Sequence, residues 1–188
     1  MRRPLSLAAA LAVVAIGSPA MAQVIDTAGQ RLDIAGTAPA ACVINAPTAS
    51  NARNATFSVS GNSTVRVDYG VLVDQNTALT QASAIDIRLP MVCNAPGRIV
   101  VRSENRGLRP AGNQRGSGGF LDVVDIDVGV RWLGQSASLT TMQGGGMLEN
   151  SQPARGDLEV ALNTRAGQGP LVAGNYSDTI VIEFQLAM

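Results

Sequence analysis

Residues 85–93 read Ile-Asp-Ile-Arg-Leu-Pro-Met-Val-Cys, and this stretch decides the fold. Apolar side chains or the cysteine occupy every second position from Ile85 to Cys93, while Asp86 and Arg88 stand between them. Successive side chains of a strand point to opposite faces, so this alternation predicts a half-buried β-strand that ends at the cysteine.

The same alternation recurs along the chain. It predicts a long strand from Phe120 to Trp132, with one face in water, and a last strand from Tyr176 to Leu186. Shorter candidate strands lie at Phe57–Val59, Val65–Tyr69, Ile99–Val101 and Leu158–Leu162. Gly, Asn, Pro and Ser clusters separate these segments, and several short strands with turn signals between them predict an all-β sandwich.

The connecting segments carry no helical or nucleotide-binding signal. Residues 74–84 lack an apolar stripe and predict a loop. Residues 116–119 and 144–146 are rich in glycine and predict mobile connections. A phosphate-binding loop needs a lysine and a strand-to-helix context, and both are missing from these two glycine-rich segments.

Length and composition narrow the class of protein. A chain of 188 residues is long enough for one domain with a real hydrophobic core. It contains no histidine, so the commonest general base and metal ligand is missing, and we expect no enzyme, metal or cofactor. Acidic and basic residues balance at a net charge of +0, which leaves no basic excess to bind nucleic acid.

Two charged clusters are interpreted as solvated surface groups rather than as binding sites. Asp122, Asp125 and Asp127 could hold calcium or serve acid-base chemistry, but they lie within the predicted strand rather than in a ligand-bearing turn, so we expect a solvated sheet face. The densest basic stretch predicts a hydrated strand edge and loop, and it comprises Arg98, Arg102, Arg106 and Arg109.

The first 22 residues have the order of a secretory signal. Arg2 and Arg3 precede an apolar run from Leu5 to Ile16, and Ala20-Met21-Ala22 provides a small-residue cleavage site. We expect cleavage after Ala22 and export of a slightly acidic chain, whereas a permanent membrane anchor is the alternative. The apolar run is shorter than the ~20 residues that a spanning helix needs.

Export changes the interpretation of the two cysteines. In an oxidising compartment Cys42 and Cys93 can pair, and we expect them to form a structural disulfide. Without histidine they make a poor zinc site, and their spacing is not that of a Cys-x-x-Cys redox motif. Two buried free thiols remain the alternative.

Three passages together resemble the spore coat protein U branch of the chaperone-usher pilin superfamily. The first is Leu32-Asp33-Ile34-Ala35-Gly36 with Ala40-Ala41-Cys42-Val43-Ile44, similar to an exposed arm that leads into the strand with the first cysteine. The second is Met91-Val92-Cys93-Asn94-Ala95-Pro96-Gly97 before Ile99-Val100-Val101, similar to the second cysteine and the following strand. The third and most specific runs from Ala173 to Ile182, Ala-Gly-Asn-Tyr-Ser-Asp-Thr-Ile-Val-Ile.

The resemblance implies an immunoglobulin-like sandwich that lacks its last strand. Residues 37–188 would form this pilin-like domain, with an apolar groove beside the last strand that the chain does possess. Residues 23–36, called the arm below, would fill the groove of a neighbouring subunit by strand addition. The implied groove residues are Ile180, Ile182, Phe184 and Leu186 on one side and Val43 or Ile44 on the other.

The arm itself alternates only in part. Val24, Ala28, Leu32 and Ile34 are apolar members of one row, in which Asp26 and Gln30 are polar. The resemblance implies that the chain is a structural subunit of a surface fibre or fimbrium that serves adhesion or biofilm formation. Its implied partners are a periplasmic pilus chaperone, an outer-membrane usher and neighbouring subunits. It would pass through the periplasm in transit to the cell surface or be secreted.

A different class of function is left open. The alternating arm residues could instead be the first strand of a complete sandwich. The product would then be a monomeric exported binding module for a glycan or a protein at the cell surface.

Overall fold

The computed structural model describes residues 33–60, 64–150 and 152–186. Contacts divide the chain into two units, Met1–Thr37 and Ala38–Met188. In the first unit the described residues, 33–37, are exposed and have no regular secondary structure. All strands of the described residues lie in the second unit.

The described residues contain thirteen strands and two short 3-10 helices. The strands are β1 (Cys42–Ile44), β2 (Thr48–Arg53), β3 (Ala55–Ser60), β4 (Thr64–Tyr69), β5 (Ser83–Cys93), β6 (Gly97–Ser103), β7 (Arg109–Pro110), β8 (Ile126–Trp132), β9 (Gln135–Thr140), β10 (Gly145–Asn150), β11 (Ala154–Thr164), β12 (Tyr176–Ser177) and β13 (Ile180–Leu186). The 3-10 helices are Ala111–Asn113 and Thr141–Gln143.

The larger sheet is built around β5, which contains the alternating stretch from Ile85 to Cys93. Its order is β1-β5-β11-β8-β9, and β2 also pairs with β5. β5 and β11 pair antiparallel along their whole length, from Ser83 opposite Thr164 to Cys93 opposite Ala154. Alternate side chains of both strands are buried, as the period-2 pattern predicts.

A smaller sheet has the order β10-β6-β13. β6 contributes Ile99 and Val101 to the same core cluster as β5, β8 and β11. The rings of Trp132, from β8, and Phe184, from β13, meet edge to face with centroids 6.0 Å apart. The two sheets therefore pack face to face, and the predicted all-β sandwich is confirmed.

The predicted disulfide is also confirmed. Cys42 and Cys93 lie directly opposite each other in the β1–β5 ladder and are bonded. No free cysteine is found among the described residues, so the free-thiol alternative is wrong. The bond fastens the short strand β1 to the end of β5.

Three strand boundaries differ from the prediction. The strand expected from Phe120 to Trp132 begins only at Ile126, because Phe120 is exposed and Val124 makes an isolated bridge to Leu108. The segment expected as one strand from Tyr176 to Leu186 is divided into β12 and β13, which pair with different strands.

The third difference concerns the glycines at 144–146, which were expected in a mobile connection. Gly145 and Gly146 belong to β10 and pair with Arg102 and Val101 of β6. Glycine has no side chain, so these positions cannot show an apolar–polar alternation. The strand there is recognised only from its backbone pairing with β6. No helix in the described part of the chain is long and apolar enough to cross a membrane.

Candidate functional site

An apolar cleft of about 280 Å³ opens between the two sheets and is the candidate site. Its floor consists of buried side chains from the core, among them Ile87, Leu158 and Val160. Its lining includes Ile180, Ile182 and Phe184 from β13 and Val65, Val67 and Tyr69 from β4. Ile44 and Pro47, at the end of β1 and just after it, also line it. These side chains fit an extended apolar segment.

β13 is an edge strand of the smaller sheet. It pairs antiparallel with β6 from Ile180 opposite Ser103 to Leu186 opposite Gly97. Among the described ranges no strand pairs with its other side. An edge of this kind presents backbone N–H and C=O groups to any strand that approaches, so β13 offers a ladder beside an apolar cleft.

β4 belongs to a hairpin with β3, and Asn54 holds the base of that hairpin. The Asn54 side-chain Nδ2 donates to the Val71 carbonyl and to Ser83 Oγ, each at 2.7 Å. The Val71 N–H donates back to Asn54 Oδ1 at 2.9 Å. The hairpin is thereby fastened to the start of β5, which places the apolar side of β4 at the cleft.

One part of the cleft is polar. Asp178 lies in its lining, and its carboxylate accepts hydrogen bonds from Ser103 Oγ at 2.6 Å and from the N–H groups of Asn105, Gly107 and Thr179. Tyr69 lies in the same lining, and burial, assisted by the negative charge of Asp178, raises its pKa to about 12. Tyr69 therefore keeps its proton at neutral pH and remains a hydrogen-bond donor.

Two buried side-chain polar atoms have no hydrogen-bond partner within the described residues, Tyr69 Oη and Trp132 Nε1. Buried polar groups in folded proteins are nearly always paired, since an unpaired one costs about 1–3 kcal/mol. Of these two residues, only Tyr69 lines the cleft.

The structure brings together most of the predicted groove residues. Ile44, Ile180, Ile182 and Phe184 all line the cleft. Val43 does not, since it alternates with Ile44 in β1 and is 55% exposed. Leu186 is outside the lining and 36% exposed at the end of β13.

Of the predicted arm residues, only Ile34 is described, and its side chain is 87% exposed. Val24, Ala28 and Leu32 lie outside the described residues. The structure thus leaves the donor role of the arm as a prediction.

Side chains of both charged clusters form hydrogen bonds or ion pairs with other residues of the same chain. Asp125 accepts hydrogen bonds from Thr141 Oγ1 and the Met142 N–H, and Asp127 pairs with Arg165. No group of three or more acidic or cysteine ligands placed to hold a metal occurs in the described ranges. Arg102 lies between Glu104 and Glu183 on the exposed side of β6 and β13.

The β4 lining and the polar part of the cleft were missed by the sequence analysis. Val65, Val67 and Tyr69 were predicted as one face of a strand, but no local pattern says where a hairpin packs. Asp178 lies in the passage from Ala173 to Ile182, where its spacing gave no sign of its four hydrogen bonds.

No protein family, curated protein or solved structure that was compared matches the chain. The resemblance to the spore coat protein U branch therefore remains a prediction. The case for a function depends on the cleft.

Proposed function

We propose that this chain is a structural subunit of a surface fibre, assembled by strand donation. The arm of one copy enters the cleft of the next and pairs with the free edge of β13. The pilin-like role that the resemblance implies, adhesion or biofilm formation by a fibre of the chaperone-usher type, is part of this proposal.

The observation that supports it most is an apolar cleft alongside an unpaired strand edge. Either feature alone is common, but together they offer an extended apolar segment both burial and a backbone ladder. Leu32 and Ile34 are the large apolar residues nearest the body of the subunit on the alternating row of the arm. Burying two such side chains would contribute about 1.5–3 kcal/mol each.

The same cleft makes the free subunit prone to aggregation, because exposed apolar surface beside a strand edge recruits other chains. A subunit in transit therefore needs a temporary occupant. The proposal assigns this role to a periplasmic chaperone and assembly to an outer-membrane usher, after export directed by residues 1–22.

The direct test changes the arm within the full exported chain. Replacing Leu32 and Ile34 together by Asp places two charges on the row that should enter the cleft, and we expect loss of fibres in electron microscopy and sedimentation. The matched control introduces two Asp residues on the opposite row, Gln23→Asp and Thr27→Asp, and should assemble like the unchanged chain.

The outcome separates the two classes of function. Strand donation is contradicted if the variant with Asp at 32 and 34 assembles as well as the control variant. It is also contradicted if neither the unchanged chain nor the control variant assembles. A chain that stays monomeric and whose melting temperature is unchanged by an added peptide of residues 23–36 would favour the alternative, a monomeric module, because a peptide that bound the folded state would raise the melting temperature.

A further inference from the structure

The segment between the arm and β1 is held by one residue, Asn94. Residues 38–41, called the stem below, are exposed and have no regular secondary structure. The Ala41 N–H donates to Asn94 Oδ1 at 2.6 Å, and Asn94 Nδ2 donates to the Pro39 carbonyl at 2.9 Å. The Asn94 N–H in turn donates to the Ala41 carbonyl at 3.0 Å. Asn94 therefore binds the stem at two positions, 39 and 41.

The Asn94 side chain acts here in place of a strand backbone. β5 ends at Cys93, opposite Cys42, so β5 does not continue alongside the stem. An asparagine side chain carries both a donor and an acceptor, as a peptide group does. The Ala41 N–H can only donate and the Pro39 carbonyl can only accept, so one orientation of the amide satisfies both.

Two further features restrain the stem. The disulfide joins Cys42, the residue after the stem, to Cys93 beside Asn94. Pro39 has a fixed φ and limits the backbone of Ala38 before it. No stem side chain belongs to the core cluster of the described residues, so holding the stem contributes little to packing. What the contact determines is the course of the chain that precedes it.

The contact shortens the free part of the connection to the arm. From Pro39 back to Ile34, the large apolar arm residue nearest to the stem, an extended chain spans at most about 18 Å. With a free stem the span would be counted from Cys42 and would reach about 29 Å. A shorter free connection allows fewer positions of one copy relative to the next.

We infer that Asn94 is a positioning residue for strand donation: it sets the direction in which the arm leaves the subunit, and with it the stiffness of the fibre. The inference rests on the proposed function and adds to it the residue that orients consecutive copies. The arm and the cleft supply the affinity between two copies, and Asn94 restricts the angle at which they are joined.

Fibres of Asn94 variants test the inference. Asn94→Ala removes both side-chain hydrogen bonds and leaves the arm and the cleft unchanged, so we expect fibres that form but bend more easily. Their persistence length in electron micrographs should fall at least about threefold, because a freed stem behaves as a flexible linker. Asn94→Asp keeps an acceptor for the Ala41 N–H but loses the donor to Pro39, and it should give an intermediate value.

The matched control removes another exposed asparagine side chain. Asn76 lies in the segment between β4 and β5, and Asn76→Ala should give fibres as stiff as those of the unchanged chain. Urea unfolding of unassembled Asn94→Ala protein should give nearly the midpoint of the unchanged chain, because the stem is not part of the core.

A label on the stem tests the contact without assembly. Both native cysteines are bonded to each other, so Ala38→Cys provides one free thiol for a nitroxide label. In unassembled protein the label should move more freely once Asn94→Ala is added, whereas Asn76→Ala should leave its mobility unchanged.

The results separate the inference from the proposed function. If the unchanged chain forms no fibres, the proposed function is overturned and this inference with it. If the unchanged chain assembles but Asn94→Ala fibres are equally stiff, or the label at position 38 does not respond to Asn94→Ala, the inference alone is overturned. More flexible fibres together with a freer label, and no change in the control, support it.

Discussion

At the scale of single residues, two glycines in strands have opposite surroundings. A Cβ on Gly97 would come within 2.5 Å of Phe184 Cζ and 2.7 Å of the Gln185 carbonyl oxygen, which belongs to the backbone of β13. A Cβ on Gly129 would meet only the Cβ of Ala161, at 3.7 Å. The close approach of β6 and β13 therefore depends on Gly97, and that of β8 and β11 does not depend on Gly129.

We expect Gly97→Ala to lower the free energy of unfolding by about 1–3 kcal/mol, because the neighbouring backbone has to move. Gly129→Ala is the matched control, and we expect it to be neutral or stabilising by up to about 1 kcal/mol, since alanine restricts the unfolded chain. Urea unfolding of both variants measures the difference. Equal losses would show that close packing at Gly97 is unimportant.

Tyr69 makes stability depend on pH at the alkaline end. Because burial raises its pKa from 10.0 to about 12, the folded protein keeps the phenol proton over a range in which the unfolded chain has lost it. The contribution of Tyr69 to the free energy of unfolding is fully present below pH 10. It falls by about 1.4 kcal/mol per pH unit as the pH rises towards 12.

The Tyr69→Phe variant should lack this part of the decline. Urea unfolding of unassembled protein at pH 9, 10 and 11 gives the difference between the two proteins. A difference that does not change with pH would mean that the hydroxyl is solvated in the folded state.

At the scale of elements, β1 is a strand of three residues that carries Ile44 into the cleft lining. It pairs with the end of β5 and is bonded there through Cys42 and Cys93, which are 51 residues apart in the chain. A short strand of this kind depends on the covalent bond to remain in place.

Replacing Cys42 and Cys93 together by Ala should lower the free energy of unfolding by about 2–5 kcal/mol, because the unfolded chain regains the freedom of a long closed loop. A reducing agent should destabilise the unchanged protein by a similar amount and leave the double variant unaffected. Equal stability of the two proteins without reductant would mean that the bond contributes little.

Strands whose side chains alternate could be predicted from the sequence, and strands formed by the backbone alone could not. β5 and β11 were recognised because their core-facing side chains are apolar. β2 was missed, since all its residues from Thr48 to Arg53 are exposed and it is placed by pairing with β5. β10 begins with two glycines and has no pattern at its start.

The candidate site divides in the same way. Ile180, Ile182 and Phe184 follow from alternation in the last strand together with the resemblance. Tyr69 and the hydrogen bonds of Asp178 do not, because they depend on where distant segments meet. A local pattern fixes which face of a strand is apolar, but the packing of the whole chain decides what that face meets.

At the scale of the whole molecule, the proposed fibre joins two different surfaces, the arm of one copy and the cleft of the next. Such a contact is heterologous and repeats from copy to copy without closing on itself, so the expected product is a fibre of no fixed length. The cleft is mostly apolar and the sequence carries a net charge of +0, so long-range charge attraction should contribute little to association between copies.

The concentration needed for assembly should therefore change by less than about threefold between 50 and 500 mM sodium chloride, because screening acts on exposed charges. Sodium sulfate, which strengthens burial of apolar surface, should promote assembly. Sedimentation across both salts checks this. A steep loss of assembly in sodium chloride would instead indicate a contact through exposed groups such as Arg98 and Arg102.

The pairing of β13 with β6 has a consequence for timing. Ile180 pairs with Ser103, so the strand that completes the smaller sheet is far from its partner in the chain, and this pair has to close a long loop. Until β13 has paired, β6 can have a neighbour only on the β10 side, and the cleft beside β13 does not yet exist. If strand donation operates as proposed, a copy acquires its capacity to bind a neighbouring arm late in its own folding, which limits premature joining of half-folded copies.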